Sequence, residues 1–188
     1  MKKSIGPKTW FFPLPVLIIA TYDKLGNPNA MNAAWGGIHD TNEVCICLDS
    51  THKTAKNIID NKDFTLSFAT KKLLSESDYF GIVSGNKIDD KISKANLTTS
   101  KSDVVNAPII NEYPVTLECR TKKLDNIDGT TYLVADILNI LVDDSVLDNN
   151  SKLDISKCEF ISFNPANNTY VVVKDEAGFA FKDGLKFR

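Results

Sequence analysis

The chain reads as a mainly β protein, an antiparallel barrel or sandwich with Greek-key connections and a few short helical inserts. Segments 16–21, 44–48, 64–69, 115–121, 132–142, 158–163 and 169–173 are rich in β-branched and aromatic residues. Turn chemistry separates many of them, with Leu25-Gly26-Asn27-Pro28 and Asp128-Gly129 the best hairpin candidates. Short strands at this spacing argue against a parallel sheet, which would place a long crossover after each strand.

Taken in order, the first strand contains the longest apolar stretch, Val16-Leu17-Ile18-Ile19-Ala20. It is about a quarter of the roughly 20 residues a membrane span needs, and Thr21-Tyr22-Asp23 ends it, so it reads as a buried strand. A helix is predicted over 51–60, where Ala55, Ile58 and Ile59 share a face and Ser50 or Thr51 can act as N-cap. Two further short helices are expected over 75–80 and 89–95. Residues 97–111, with a Thr-Thr-Ser-Lys-Ser-Asp run and Ala107-Pro108, read as a long loop, and 143–152 as a polar exposed turn region. With 188 residues, 43% of them hydrophobic, and no internal repeat or domain-length linker, one domain over residues 1–188 is expected.

A net charge of -2 and a pI of about 5.7 mark no polyanion-binding face, so neither a nucleic-acid nor a membrane partner is expected. Met1-Lys2-Lys3 could open a signal peptide, but Ser4-Ile5-Gly6-Pro7-Lys8 interrupts any apolar core of one, and a cytoplasmic location follows by default. The four cysteines, Cys45, Cys47, Cys119 and Cys158, form no Cys-x-x-Cys pair and no zinc-like cluster with His39 and His52. Cys45 and Cys47 share one strand face, and buried free thiols explain them more simply than a metal site.

Three stretches carry candidate chemistry. In Ser50-Thr51-His52-Lys53-Thr54 a strand turns straight into a helix, which gathers unpaired backbone N–H groups where the dipole favours an anion; hydroxyls and an ammonium would complete a phosphate pocket. The plainer reading is a helix cap beside a solvated lysine. In Pro28-Asn29-Ala30-Met31-Asn32-Ala33-Ala34-Trp35-Gly36-Gly37, small side chains let a flat ring approach the backbone and Asn32 adds a donor and an acceptor. A tightly packed, bent barrel strand with Trp35 in the core accounts for the same residues. The third stretch, Gly81-Ile82-Val83-Ser84-Gly85 with Asp89-Asp90-Lys91 after it, could bring Ser84 and Lys91 to the same ligand or form a surface loop. No dinucleotide or P-loop glycine fingerprint occurs.

The order and spacing of these stretches resemble the flavin reductase-like FMN-binding split barrels, specifically their flavoredoxin branch. The resemblance runs from Pro13-Leu14-Pro15-Val16 to Leu117-Glu118-Cys119 and the long strand that follows. It implies a split barrel in which Met31, Asn32, Ala33 and Ala34, with Trp35 beside them, line the isoalloxazine of FMN. It assigns the phosphate to Ser50, His52, Lys53 and Thr54, with Thr51 between them, and maps Ser84 and Lys91 onto the third motif. Some relatives carry a histidine early in the strand after the Asp-Gly turn, where Thr130-Thr131-Tyr132 stands here. The resemblance implies a homodimer, supported by the apolar set Val171, Val172, Val173, Phe179, Phe181 and Phe187, and an NADH- or NADPH-dependent reaction delivering electrons to an acceptor the sequence does not identify. A flavoredoxin-type carrier between protein partners and a cofactor-free small-barrel binding module are the alternatives.

Overall fold

The computed structural model describes residues 1–188. Its strands in chain order are β1 (Leu14–Pro15), β2 (Leu17–Tyr22), β3 (Pro28–Ala33), β4 (Gly36–Asp40), β5 (Glu43–Asp49), β6 (Asp63–Phe68), β7 (Thr99–Lys101), β8 (Pro108–Ile110), β9 (Val115–Ile127), β10 (Thr130–Val142), β11 (Ile161–Asn164) and β12 (Thr169–Val172). Between them lie helices α1 (Lys53–Asn61), α2 (Leu74–Ile82), α3 (Lys91–Lys94) and α4 (Ile155–Cys158).

The main sheet has the order β3-β2-β6-β9-β10-β5-β4, with every pairing antiparallel. Its two outer strands, β3 and β4, are consecutive and joined only by Ala34-Trp35, so one bent stretch of chain closes the sheet into a barrel. Ala33 pairs with Leu17 on one side of that bend and Gly36 with Ile46 on the other. A Cβ on Gly36 would stand 3.0 Å from both the Cys45 carbonyl and the Leu17 side chain, so the closure needs a glycine there. The connection from β5 to β6 through α1 skips the β9–β10 hairpin, which makes the Greek-key crossing. This is the split barrel that the strand pattern and the resemblance anticipate.

Two apolar cores flank β2. Leu17 and Ile19 point into the barrel with Val44, Ile46, Leu48, Phe64, Leu66 and Leu117, joined by Ala55 and Ile58 of α1. Val16, Ile18 and Ala20 face an outer layer with Phe80, Ile92, Leu97 and Tyr113, covered by α2, α3 and the small β1-β11-β12 sheet. Burial on both faces explains why β2 is an unbroken apolar run, whereas β5, covered on one face, alternates cleanly.

Several elements differ from the sequence reading. β3 and β4 lie outside the segments rich in β-branched and aromatic residues, yet pair as strands despite Pro, Asn, Gly and Asp, because each forms a hairpin with its sequence neighbour, β3 with β2 across the Leu25-Gly26-Asn27-Pro28 turn and β4 with β5. His39 lies on β4. β9 runs on to Ile127 because its polar second half leaves the core as an exposed hairpin with β10. The expected loop 97–111 holds the β7–β8 hairpin, pinned where Thr65 donates to the Pro108 carbonyl at 2.6 Å. No helix of the chain is long and apolar enough to cross a membrane.

Candidate functional site

β3 is the edge from which the site is built. It pairs with β2 on one side, while α1, α2 and α3 pack near its other side. The Ala30 carbonyl points away from β2, since it accepts from Lys91 at 2.9 Å, and strand alternation sends the backbone groups of Asn32 to the same free edge. These edge groups face a cleft of about 270 Å³. The opposite wall is the start of α1 and the Gly81–Gly85 stretch, which ends α2 and follows it, so three segments far apart in sequence meet there.

The start of α1 is open. His52 occupies the N-cap position without a capping hydrogen bond, and no acidic residue lies in the first turn. Ser50 and Thr51 are not the caps. The Ser50 hydroxyl is within 2.8 Å of both the Thr131 hydroxyl and Asn126 Nδ2, and Thr51 donates its N–H and hydroxyl to Asp49. The first N–H groups of α1 therefore keep the capacity to bind an anion. The buried Thr54 hydroxyl accepts from Asn29 Nδ2 at 2.7 Å, locking α1 to β3. A Cβ on Gly85 would come within 2.2 Å of Asn29 Oδ1, so only glycine lets the third segment approach this pair.

The two lysines of the cleft are partnered differently. Lys53 lies between Asp23 Oδ2 at 3.4 Å and Asp89 Oδ1 at 3.2 Å, with 16% of its side chain exposed, rather than standing as a free surface charge. Burial alone would raise the Asp23 pKa. Hydrogen bonds from Asn27, Leu25 and Lys53 outweigh that and hold the carboxyl below its ordinary value. Lys91 is 2% exposed and donates to the carbonyls of Ala30 and Phe80 at 2.9 and 3.2 Å, with the Phe80 ring centroid 5.7 Å away. Its burial pushes the ammonium pKa down to about 8.

Of the twelve positions expected from sequence, Met31, Asn32, His52, Lys53, Thr54, Ser84 and Lys91 line this cleft together. Asn32 also donates to the Ser77 carbonyl at 2.9 Å, fixing α2 against β3. Ala33 turns into the barrel core. Ala34 and the 64% exposed Trp35 line a neighbouring cleft of about 390 Å³ with Phe11 and Pro13, so Trp35 is not a core residue. Ser50 and Thr51 do not line the first cleft and make the contacts given above. Asn29, Phe80 and Gly85 also line it without being among the expected site residues. Asn29 and Gly85 sat inside motifs already singled out, whereas Phe80 gave no signal beyond an apolar helix position.

The chain matches the flavin reductase like domain over residues 10–156. Flavoredoxin of Desulfovibrio vulgaris (Miyazaki F) superposes with a TM-score of 0.91 at 31% identity, covering 98% of this chain and 100% of that one. Flavoredoxin from Methanosarcina acetivorans gives 0.90 at 26% identity, covering 100% of both. A protein of Aquifex aeolicus (strain VF5) is 28% identical over 113 residues, 58% of this chain and 56% of that protein. With the barrel closure and the three-segment cleft, these matches carry a flavin-related oxidoreductase function, and the chain belongs to the flavin reductase-like split-barrel family, in its flavoredoxin branch.

Proposed function

We propose that the whole chain acts as one FMN-binding domain, accepting electrons from NADH or NADPH and passing them to an acceptor. The observation that carries this reading is the convergence of a strand edge, an uncapped helix start and a glycine-bounded turn on one cleft. Beside the Ala30 carbonyl held by Lys91, the free edge offers the N–H of Ala30 and the N–H and C=O of Asn32, donors and an acceptor for the pyrimidine side of a flavin. The start of α1, with Lys53 and Ser84 beside it, suits a terminal phosphate. Bound FMN would supply hydride acceptance and electron delivery, while this chain's residues fix its position and exclude water. In a fluorescence titration of apoprotein, FMN is expected to bind at least about tenfold more tightly than riboflavin, the worth of one charge-assisted contact. Equal affinities would remove the phosphate pocket.

A second reading, an electron carrier with little nicotinamide reactivity, is favoured by the segment Thr130-Thr131-Tyr132. Some relatives carry a histidine in this part of the strand and none stands here, while Thr131 is fully buried with its hydroxyl paired with Ser50. Anaerobic addition of NADH or NADPH separates the readings: rapid bleaching of the bound flavin supports the reductase, and its absence with both nicotinamides supports the carrier.

We also propose a homodimer. Phe11, Phe12, Phe179, Phe181 and Phe187 are exposed, so the C-terminal aromatics do not close the chain's own barrel, and a partner subunit would cover them. A monomer in sedimentation at micromolar concentration, with FMN fully bound, would exclude it. The free thiols, two buried and two half-buried, suit a cytoplasmic setting.

A further inference from the structure

We propose that Asp89 is a resident anion on Lys53 that the ligand's phosphate displaces, so that this one carboxylate sets how strongly the site discriminates FMN from phosphate-free flavin. The inference rests on the FMN reading above.

The two carboxylates on Lys53 are not equivalent. Asp23 is built into the β2–β3 turn, where its carboxylate accepts the N–H groups of Leu25 and Asn27, both at 2.9 Å, and Asn27 Nδ2 at 3.2 Å. Its side chain is 17% exposed, and leaving Lys53 would break the turn. Asp89 has a side chain that is 90% exposed, and its only hydrogen bond is the 3.2 Å contact from Lys53 Nζ. Rotation of that one exposed side chain releases the ammonium from Asp89 and leaves it paired with Asp23 alone.

The backbone that carries Asp89 does not have to move with it. Asn86 Nδ2 donates to the Thr51 carbonyl at 2.9 Å, and Gly85 lies against Asn29 and the Lys53 stem. The segment therefore stays on α1 while the carboxylate swings out. Charge balance gives the reason to swing. Lys53 with both aspartates carries a net charge of -1, and a phosphomonoester adds about -1.5 to -2 beside it. Keeping Asp89 in place would set it against the phosphate with one ammonium between them, whereas releasing it to water gives up only an exposed ion pair.

The test compares wild type, Asp89→Asn, Lys53→Ala and the double variant in apoprotein titrations with FMN and with riboflavin. Asp89→Asn is expected to bind FMN about three- to fivefold more tightly, the worth of the exposed pair no longer broken. Riboflavin affinity and the apoprotein melting temperature stay unchanged, and the gain vanishes in the Lys53→Ala background. Unchanged or weaker FMN binding by Asp89→Asn overturns the proposal, as does an equal gain for riboflavin. Failure of the FMN reading itself looks different, because wild type then binds both flavins alike. Inorganic phosphate decides in that case: a larger phosphate-induced rise in melting temperature for Asp89→Asn than for wild type upholds the exchange, and equal rises overturn it.

Discussion

Lys91 at the floor of the cleft and Lys53 at its mouth carry the same group within one site, and the fold treats them in opposite ways. Lys91 has no carboxylate. Its ammonium is buried against two backbone carbonyls and an aromatic ring, and it ties the free edge of β3 to the end of α2. Lys53 has two carboxylates, one built into a turn and one nearly free in solvent. A buried charge held by carbonyls cannot be exchanged without unpairing the backbone, whereas a partly exposed ion pair can be traded for another anion at little cost. The floor therefore acts as a rigid clamp and the mouth as the adaptable part.

Removing the clamp should have the largest effect. Lys91→Met keeps the aliphatic stem but strands the Ala30 and Phe80 carbonyls. The loss is expected at about 2–3 kcal/mol, since each buried unsatisfied acceptor costs about 1–3 kcal/mol and relief of the buried charge returns part of it. Urea unfolding of the apoprotein at neutral pH measures this, and an unchanged midpoint would make the two lysines equivalent after all. The same pair of proteins gives a signature in alkali. Lys91 titrates near 8 when folded, against an ordinary value of 10.5, so the unfolded chain holds the extra proton between those values. Wild type should gain stability relative to Lys91→Met as the pH rises from about 8 to 10.5. The difference between the two proteins is the quantity to follow. Cys119 and Tyr170, both pushed up to about 12 chiefly by burial, lose stability with rising pH in each protein and cancel.

That contrast was only half legible in the sequence. Lys53 sits inside a recognisable Ser-x-His-Lys-Thr segment, but its two carboxylates come from the β2–β3 turn and from the segment after α2, about 30 and 36 residues away. Nothing local distinguishes Lys91, on a four-residue helix, from a surface lysine; its burial follows from Phe80 and Ala30 closing over it. The strands around the barrel were readable where one or both faces are apolar, as in β2 and β5. β3 was legible only through the Leu25-Gly26-Asn27-Pro28 hairpin signal before it, and β4 less, because their residues favour turns and it is hairpin pairing with β2 and β5 that makes them strands. The site lies on this least regular stretch, since a free strand edge can face a ligand while a fully paired one cannot.

At the mouth, Lys53→Ala should weaken FMN binding by about 1.5–3 kcal/mol, roughly ten- to hundredfold, while riboflavin is unaffected. Apoprotein stability should fall by about 1 kcal/mol, less than in Lys91→Met, because the Asp89 pair is solvated and Asp23 keeps its hydrogen bonds from Leu25 and Asn27 when Lys53 is gone. Matched losses in FMN affinity and apoprotein stability would instead place Lys53 with Lys91 as part of the frame.

The smallest effect is expected at Ser84, which lines the same cleft as the two lysines. Its hydroxyl accepts the Asn86 N–H at 3.3 Å, a long and exposed contact. The Ser84 carbonyl, which the substitution leaves in place, accepts from both Lys87 and Ile88 and holds the turn. Ser84→Ala should therefore leave the apoprotein within about 0.5 kcal/mol of wild type, as exposed substitutions usually do. If the hydroxyl donates to the phosphate, FMN affinity should fall by about 0.5–1.5 kcal/mol, the net worth of one ordinary hydrogen bond, again without effect on riboflavin. Parallel titrations with the two flavins read this difference directly. An unaltered FMN affinity would leave the phosphate to the start of α1 and Lys53 alone, and the adaptable half of the cleft would then lie wholly on the α1 side.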